Sequence, residues 1–249
     1  MTQNIRTYIT WLLSFFTLIN AFGQTEMGLN VGYIRPFLLP NSSTSHYSGS
    51  ADYSGSVFMA LKYKEKATNT MYLGIDLSID NYKLYFKESL GSHFGPVYQK
   101  DFKYKFNYLY LDFYPEWVFG NKVKFYFNTG LTIGLLLNSN KSGKVRTGTM
   151  TENPYGGSYL VYNDAEVDES ARDDLRDFNV GVGIGTGLQY IISDNWSVQV
   201  DISNRFLPFP VDSGFAKSQM DLLISAGATY TINRNKKPLL FRSGSYPKS

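Results

Sequence analysis

Residues 71–80 read MYLGIDLSID, and this stretch decides the fold. In an extended chain successive side chains point to opposite faces, so Met71, Leu73, Ile75, Leu77 and Ile79 share one face and Tyr72, Gly74, Asp76, Ser78 and Asp80 the other. Ten residues of strict period two argue for a strand and against a helix. The pattern recurs. Residues 26–34 set Met27, Leu29, Val31 and Tyr33 against Glu26, Gly28, Asn30 and Gly32, and comparable alternation runs through 55–63, 108–117, 125–135, 179–188, 196–205 and 220–230. That gives eight strands. The connections alternate as well: long loops follow the first, third, fifth and seventh strands, the third of them (residues 138–177) being the longest, while 64–70, Phe119-Gly120-Asn121-Lys122 and Ser193-Asp194-Asn195 are short turns. Every long loop then emerges at one end and both termini at the other. Segments of about ten alternating residues, with short turns at one end and long loops at the other, are the signature of an eight-stranded antiparallel up-and-down transmembrane β-barrel.

Alternation alone also fits a soluble barrel, which inverts the apolar face. The polar face decides. It holds Gly, Asn, Ser, Thr, Tyr and scattered carboxylates rather than the Lys and Glu of a water-facing exterior, and in the sixth strand it is Gly181, Gly183, Gly185 and Gly187. Such a face suits a crowded interior. On the apolar face Tyr33, Tyr63, Trp117, Trp196 and Tyr230 fall near strand ends, where an aromatic girdle belongs.

Residues 1–23 read as a secretory signal: Arg6, an apolar run over 8–19 too short to span a bilayer as a helix, and the small-x-small site Ala21-Phe22-Gly23. Residues 24–232 then form one barrel domain, and 233–249 a basic, disordered periplasmic tail with Lys236, Lys237, Arg242 and Lys248. The signal carries one base and no acid, which leaves 23 bases against 21 acids in the remainder, a balance that does not point to nucleic acid, and none is expected as a partner. An exported chain without cysteine has no disulfides, so a closed strand ladder must hold it.

The inward positions carry Glu26, Lys62, Asp76, Asp80, Asp112, Glu116, Asp201, Arg205 and Asp221. An eight-stranded lumen is only wide enough to be filled by side chains, so a plugging network around Lys62 and Arg205 is expected rather than an ion path. His46-Tyr47-Ser48 sets a base two residues before a hydroxyl, superficially like the His-x-Ser pair of lipid A deacylases. Those enzymes carry the pair on a late strand, this chain in its first loop, and a solvated histidine is the expectation. Asp164, Glu166, Asp168, Glu169, Asp173, Asp174 and Asp177 crowd the third loop with Arg172 and Arg176, without the spacing or central Gly of a calcium loop. A short helix over 168–176 with acid–base pairs is expected there, and neither metal nor cofactor.

The run Tyr108-Leu109-Tyr110-Leu111-Asp112-Phe113-Tyr114-Pro115, then Gly120-Asn121, Gly130-Leu131 and Arg205, resembles the outer-membrane β-barrel domain proteins of Gram-negative bacteria, which include the PorT-like proteins. The first of these is similar to that family's Tyr-Leu-x-Ile-Pro strand, with Pro115 two positions later. The resemblance spans the whole chain from Gln24 on, which runs 17 residues beyond Ile232 where the family stops near a terminal aromatic, and it implies an integral outer-membrane protein in contact with outer-membrane lipids and lipopolysaccharide. For a PorT-like member it implies an accessory of protein secretion. The expectation is therefore a monomeric, non-enzymatic barrel that binds at the cell surface or docks on an envelope or secretion protein, with a lipid A hydrolase as the rival.

Overall fold

The computed structural model describes residues 24–40, 48–92, 95–152, 154–208 and 216–233. The signal-like residues, His46, His93 and the tail beyond Asn233 lie outside the described residues. Ten strands follow one another: β1 (Gln24–Pro40), β2 (Ser48–Ser54), β3 (Ser56–Lys66), β4 (Met71–Ser92), β5 (Gly95–Gly120), β6 (Val123–Glu152), β7 (Ser158–Glu169), β8 (Phe178–Ile191), β9 (Trp196–Leu207) and β10 (Ala216–Asn233). Eight of them close a ring in the order β1-β3-β4-β5-β6-β8-β9-β10, with β10 pairing back onto β1. All pairings are antiparallel. Closure satisfies the backbone groups of the ring strands without an open edge, the requirement for a sheet in lipid.

The ring is inside-out relative to a water-soluble protein. Val57, Leu131 and Leu188 point outward and are 60%, 59% and 55% exposed, whereas the inward Asn30, Asp80 and Asp221 are fully buried. A belt of exposed Leu, Ile, Val and Met around a polar centre is stable only with lipid outside. Crowding sets where glycine is needed. A Cβ on Gly134 would lie 2.4 Å from the Tyr110 ring, so glycine there gives that ring its space. Gly120 closes the β5–β6 turn at φ +100°, a left-handed conformation that glycine adopts without a Cβ penalty.

The predicted long loops are corrected by the structure. Residues 81–103 were expected to form a loop, yet β4 runs on to Ser92 and β5 starts at Gly95, as one continuous hairpin. In the third loop β6 continues to Glu152 and pairs with β7, and the first loop contains β2, paired with β4. The expected helix over 168–176 is absent: Asp168 and Glu169 lie in β7 opposite Ser142 and Lys141, and only a 3-10 turn, Arg172–Asp174, follows.

These extensions build a crown beyond the lipid belt. Its boundary is a row of asparagines, Asn81 opposite Asn107 and Asn107 opposite Asn138. Asn107 donates to Asn138 Oδ1 at 2.9 Å, and Asn81 donates to the Val57 carbonyl at 3.1 Å. Above them the polarity of the strands inverts. Tyr82, Leu84, Phe86, Phe102, Tyr104 and Phe106 turn inward and are buried, while Lys83, Lys87, Lys103 and Lys105 face out. At about 3.3 Å per residue and a tilt near 40°, the hairpin rises roughly 25 Å beyond the belt.

Candidate functional site

The lumen is closed at three levels. Nearest the short turns, Lys64 Nζ meets Glu116 Oε1 at 2.7 Å and lies 4.9 Å over the Tyr126 ring, while Gln189 donates to Glu26 at 3.4 Å. The middle level centres on Asp201, which takes Lys62 Nζ at 2.9 Å and hydrogen bonds from Ser225 and Asn30. Asn30 in turn accepts from Gln199 at 2.8 Å. Lys62 also lies 3.8 Å from Asp76, the residue directly opposite it in register, and Tyr114 donates to Asp76 at 2.6 Å. At the uppermost level Arg205 Nη1 meets Asp80 at 2.6 Å and lies 3.9 Å from Asp221, and Nη2 meets Asp112 at 3.3 Å. The Arg205 guanidinium stacks 4.0 Å over Tyr110, and Tyr82 donates to Asp221 at 2.8 Å.

The seven lumen residues singled out from the sequence are thus divided among these levels. Glu116 belongs to the first, Lys62, Asp76 and Asp201 to the second, and Asp112, Arg205 and Asp221 to the third. Lys64 was missed. The sequence reading places it in the turn 64–70, although it follows Lys62 at the strand spacing of two and β3 runs to Lys66. Asn30, Gln199, Tyr82 and Tyr110 were also missed as partners, since neutral polar residues carry no charge signal in a sequence. Between the second and third levels a cavity of about 90 Å³ remains beside the glycine face of β8. Side chains thus fill the lumen at these levels, with Lys62, Lys64 and Arg205 each set against carboxylates, as buried charges require.

Of the five aromatic residues expected at strand ends, Tyr63, Trp117, Trp196 and Tyr230 cluster near the short turns, with Trp196 and Tyr230 rings 5.1 Å apart. Tyr33 lies toward the crown, opposite Val57 and Ile224.

From the uppermost level an apolar core continues into the crown. Tyr82 stacks on Phe106 with centroids 5.2 Å apart, and Tyr108 stacks on Tyr110 at 5.5 Å. The segment after β7 folds back over them: Ala171 and Leu175 are buried, Tyr108 donates to the Arg176 carbonyl, and the Leu136 amide donates to the Asp177 carbonyl at 2.9 Å. Beneath this segment opens a second cavity of about 350 Å³, walled by Phe86, Phe102, Tyr104, Val145 and Val167 with Lys141 at its edge. Lys141 bridges Glu169 and Asp174, each at 2.9 Å. Burial works to lower its ammonium pKa, but the hydrogen bonds to those two carboxylates outweigh this and hold it above the ordinary lysine value. Other third-loop acids make similar pairs, Asp164 with Arg146 at 2.7 Å and Asp177 with Arg172 at 2.8 Å. No metal-binding group of His, Cys, Asp and Glu occurs among the described residues.

A closed ring with a lipid-facing belt, a polar plugged centre and a crown beyond one rim defines an integral β-barrel membrane protein. Residues 20–204 match the family model described as outer membrane protein beta-barrel domain, and the chain belongs to that family, located in the outer membrane. The match stops short of the end of β9 and of β10, which complete the ring. Among solved structures the chain is similar to OprG of Pseudomonas aeruginosa (10% identity, TM-score 0.48, covering 86% of this chain and 97% of that one). It is also similar to neisserial surface protein A (13%, 0.44, 84% and 98%) and to Ail of Yersinia pestis, solved with the heparin analogue sucrose octasulfate (13%, 0.38, 85% and 99%). No curated protein sequence matches the chain.

Proposed function

We propose that this protein is a non-enzymatic, monomeric barrel whose crown is its working part, a folded platform at the cell surface for a ligand or for an envelope partner. The observation that carries this reading is the continuous extension of β4, β5 and β6 past the asparagine row, over an apolar core that runs from the upper ring into the crown. A barrel serving only as an anchor needs strands of about ten residues. β6 has 30. The plugged lumen supports binding over conduction, and Lys62, Asp76, Asp112, Glu116, Asp201, Arg205 and Asp221, joined by Lys64, are the proposed plug. Tyr33, Tyr63, Trp117, Trp196 and Tyr230 are the proposed girdle.

By the general orientation of outer-membrane barrels, short turns face the periplasm and the crown faces outward. The secretion-accessory role of a PorT-like protein rests on the resemblance carried by residues 108–115, Gly120-Asn121, Gly130-Leu131 and Arg205. Photo-crosslinking from outward crown positions such as Tyr159 and Tyr85 in intact cells tests the platform reading. Specific adducts from those positions, and none from the lipid-belt position Val200, are expected; adducts only from the periplasmic turns would replace the platform with periplasmic docking. The hydrolase reading is tested separately. His46→Ala and Ser48→Ala are expected to leave the lipid A acyl pattern unchanged by mass spectrometry.

A further inference from the structure

The crown encloses more space than its core fills. The cavity of about 350 Å³ beside the turn Arg172–Asp174 is walled by Leu84, Phe86, Phe102, Tyr104, Val145 and Val167. Register brings these side chains to one face: Phe86 lies opposite Phe102, Phe102 opposite Gly143, and Gly143 opposite Val167. Gly143 adds no side chain to that row, which leaves room between the Phe102 ring and Val167. Pockets for small molecules begin at about 300 Å³ and are lined mainly by apolar and aromatic side chains with a few placed polar groups. This cavity has both properties.

Its polar groups show which ligand charge the site favours. Lys141 Nζ lies 5.3 Å over the Phe102 ring between Glu169 and Asp174, each at 2.9 Å, and Lys100 Nζ lies 5.1 Å over Tyr98 with Glu88 at 3.3 Å. The chain's own ammonium groups thus take an aromatic face and a carboxylate together, twice, and each attraction favours a cation. The count at the rim is uneven. Lys100 is matched by Glu88, so among the residues that line the cavity Lys141 alone stands against Glu169, Asp173 and Asp174. Glu169 and Asp174 share Lys141, and Asp173 makes no ion pair among the described residues.

We propose that the crown cavity is a binding site for a small amphipathic amine, with an aromatic or aliphatic body among Phe86, Phe102, Val145 and Val167 and its ammonium at Asp173. A ligand carboxylate would meet three carboxylates and find Lys141 already shared by two of them. A neutral ligand gains the apolar wall and leaves Asp173 without a cation. The proposal rests on the crown as the working part and adds the ligand class. Crosslinking reports a macromolecular partner on the crown and the titration below reports the cavity, so each fails without the other.

The full mature chain, with Val and Leu methyl groups labelled and folded into phosphatidylcholine nanodiscs, is titrated with phenylpropylamine, phenylpropanol and phenylpropionate and followed by methyl NMR. The amine is expected to shift Val145, Val167 and Leu175 saturably, while Val200 in the lipid belt reports only partition into the bilayer, and to bind roughly 10-fold more tightly than the propionate. Asp173→Asn is expected to weaken the amine about 3- to 5-fold and to leave the alcohol unchanged. Val145→Trp, which fills the cavity, is expected to abolish binding of all three. Heat-modifiable gel migration verifies the ring of each variant and the ligand-free methyl spectrum its crown, and Asp173→Asn, on the exposed turn, tests the site without touching the core. Absence of saturable shifts at Val145 and Val167 in the native chain, or undiminished amine binding by Val145→Trp, overturns the site. Propionate binding as tight as the amine, or amine affinity unchanged in Asp173→Asn, overturns the ligand class.

Discussion

Strand β4 lives in two solvents, and its two halves are built by opposite rules. Below Asn81 its outward side chains are Leu73, Ile75, Leu77 and Ile79 and its inward ones include Asp76, Ser78 and Asp80. Above Asn81 the outward side chains are Lys83, Tyr85 and Lys87, and the inward ones Tyr82, Leu84 and Phe86. The backbone and the pairing to β5 continue unchanged while the hydrophobic phase inverts. The lower half buries polar groups against one another and shows hydrocarbon to lipid; the upper half is an ordinary water-facing sheet over an apolar core. Strand continuity is thus set by backbone pairing, and side-chain polarity only reports which solvent is outside.

The largest expected effect tests the polar half. Arg205→Ala leaves Asp80, Asp112 and Asp221 facing one another without their cation, and is expected to cost about 3–5 kcal/mol of folding stability by denaturant titration in detergent or lipid. A cost under about 1 kcal/mol would mean that water reaches this level freely and that the plug is open.

Placing the same residue type at two outward positions of β4 sharpens the comparison. Ile75→Arg puts a cation in the lipid belt and is expected to cost about 2–4 kcal/mol, whereas Tyr85→Arg in the crown is expected to cost less than about 1 kcal/mol. Equal costs would erase the boundary at Asn81.

Leu175→Ala removes a buried side chain from the crown core and is expected to weaken the crown locally by about 2 kcal/mol. Limited proteolysis should then cut within residues 138–177 while the ring still shows heat-modifiable migration. Loss of both together would make ring and crown one cooperative unit.

The smallest effect is a titration at the crown surface. Hydrogen bonding from Arg146, helped by the charges of Arg146 and Lys144 and opposed by desolvation, holds the Asp164 carboxyl below its ordinary value. A depressed carboxyl pKa adds stability that is present above the unfolded value and is lost as pH falls through the folded one. The Arg146–Asp164 pair is therefore intact at neutral pH and released in acid. Carboxyl NMR should place Asp164 below the usual aspartate range, and Arg146→Gln should return it to that range.

The same phase inversion explains what was legible in the sequence. The eight ring strands and their facing were readable because one face is apolar throughout, as in Met71 to Ile79 or Trp196 to Ile202. The crown was not, because a reader following the apolar face meets Asn81 on β4 and Asn138 on β6 and takes each for the start of a loop. On β6 a second device hides the strand. Register shifts between Asn107 and Tyr108, leaving Leu137 as an extra residue, so Leu135, Leu136 and Leu137 run together and alternation resumes on the other parity. The charged lumen residues were visible by parity. Lys64 was lost only because a charged strand end resembles a turn, and the neutral hubs Asn30 and Gln199 were identifiable only from their positions across the ring.

Hydrogen–deuterium exchange along β4 and β5 in a lipid bilayer addresses the central claim most directly. The amides of residues 82–86 and 102–106, above the asparagine row, are predicted to exchange slowly, as members of a paired sheet over a buried core, close behind those of 71–80 in the ring. Exchange of 82–86 and 102–106 at the rate of an unstructured loop, with 71–80 still protected, would contradict the continuous strand and remove the crown on which the proposed function stands.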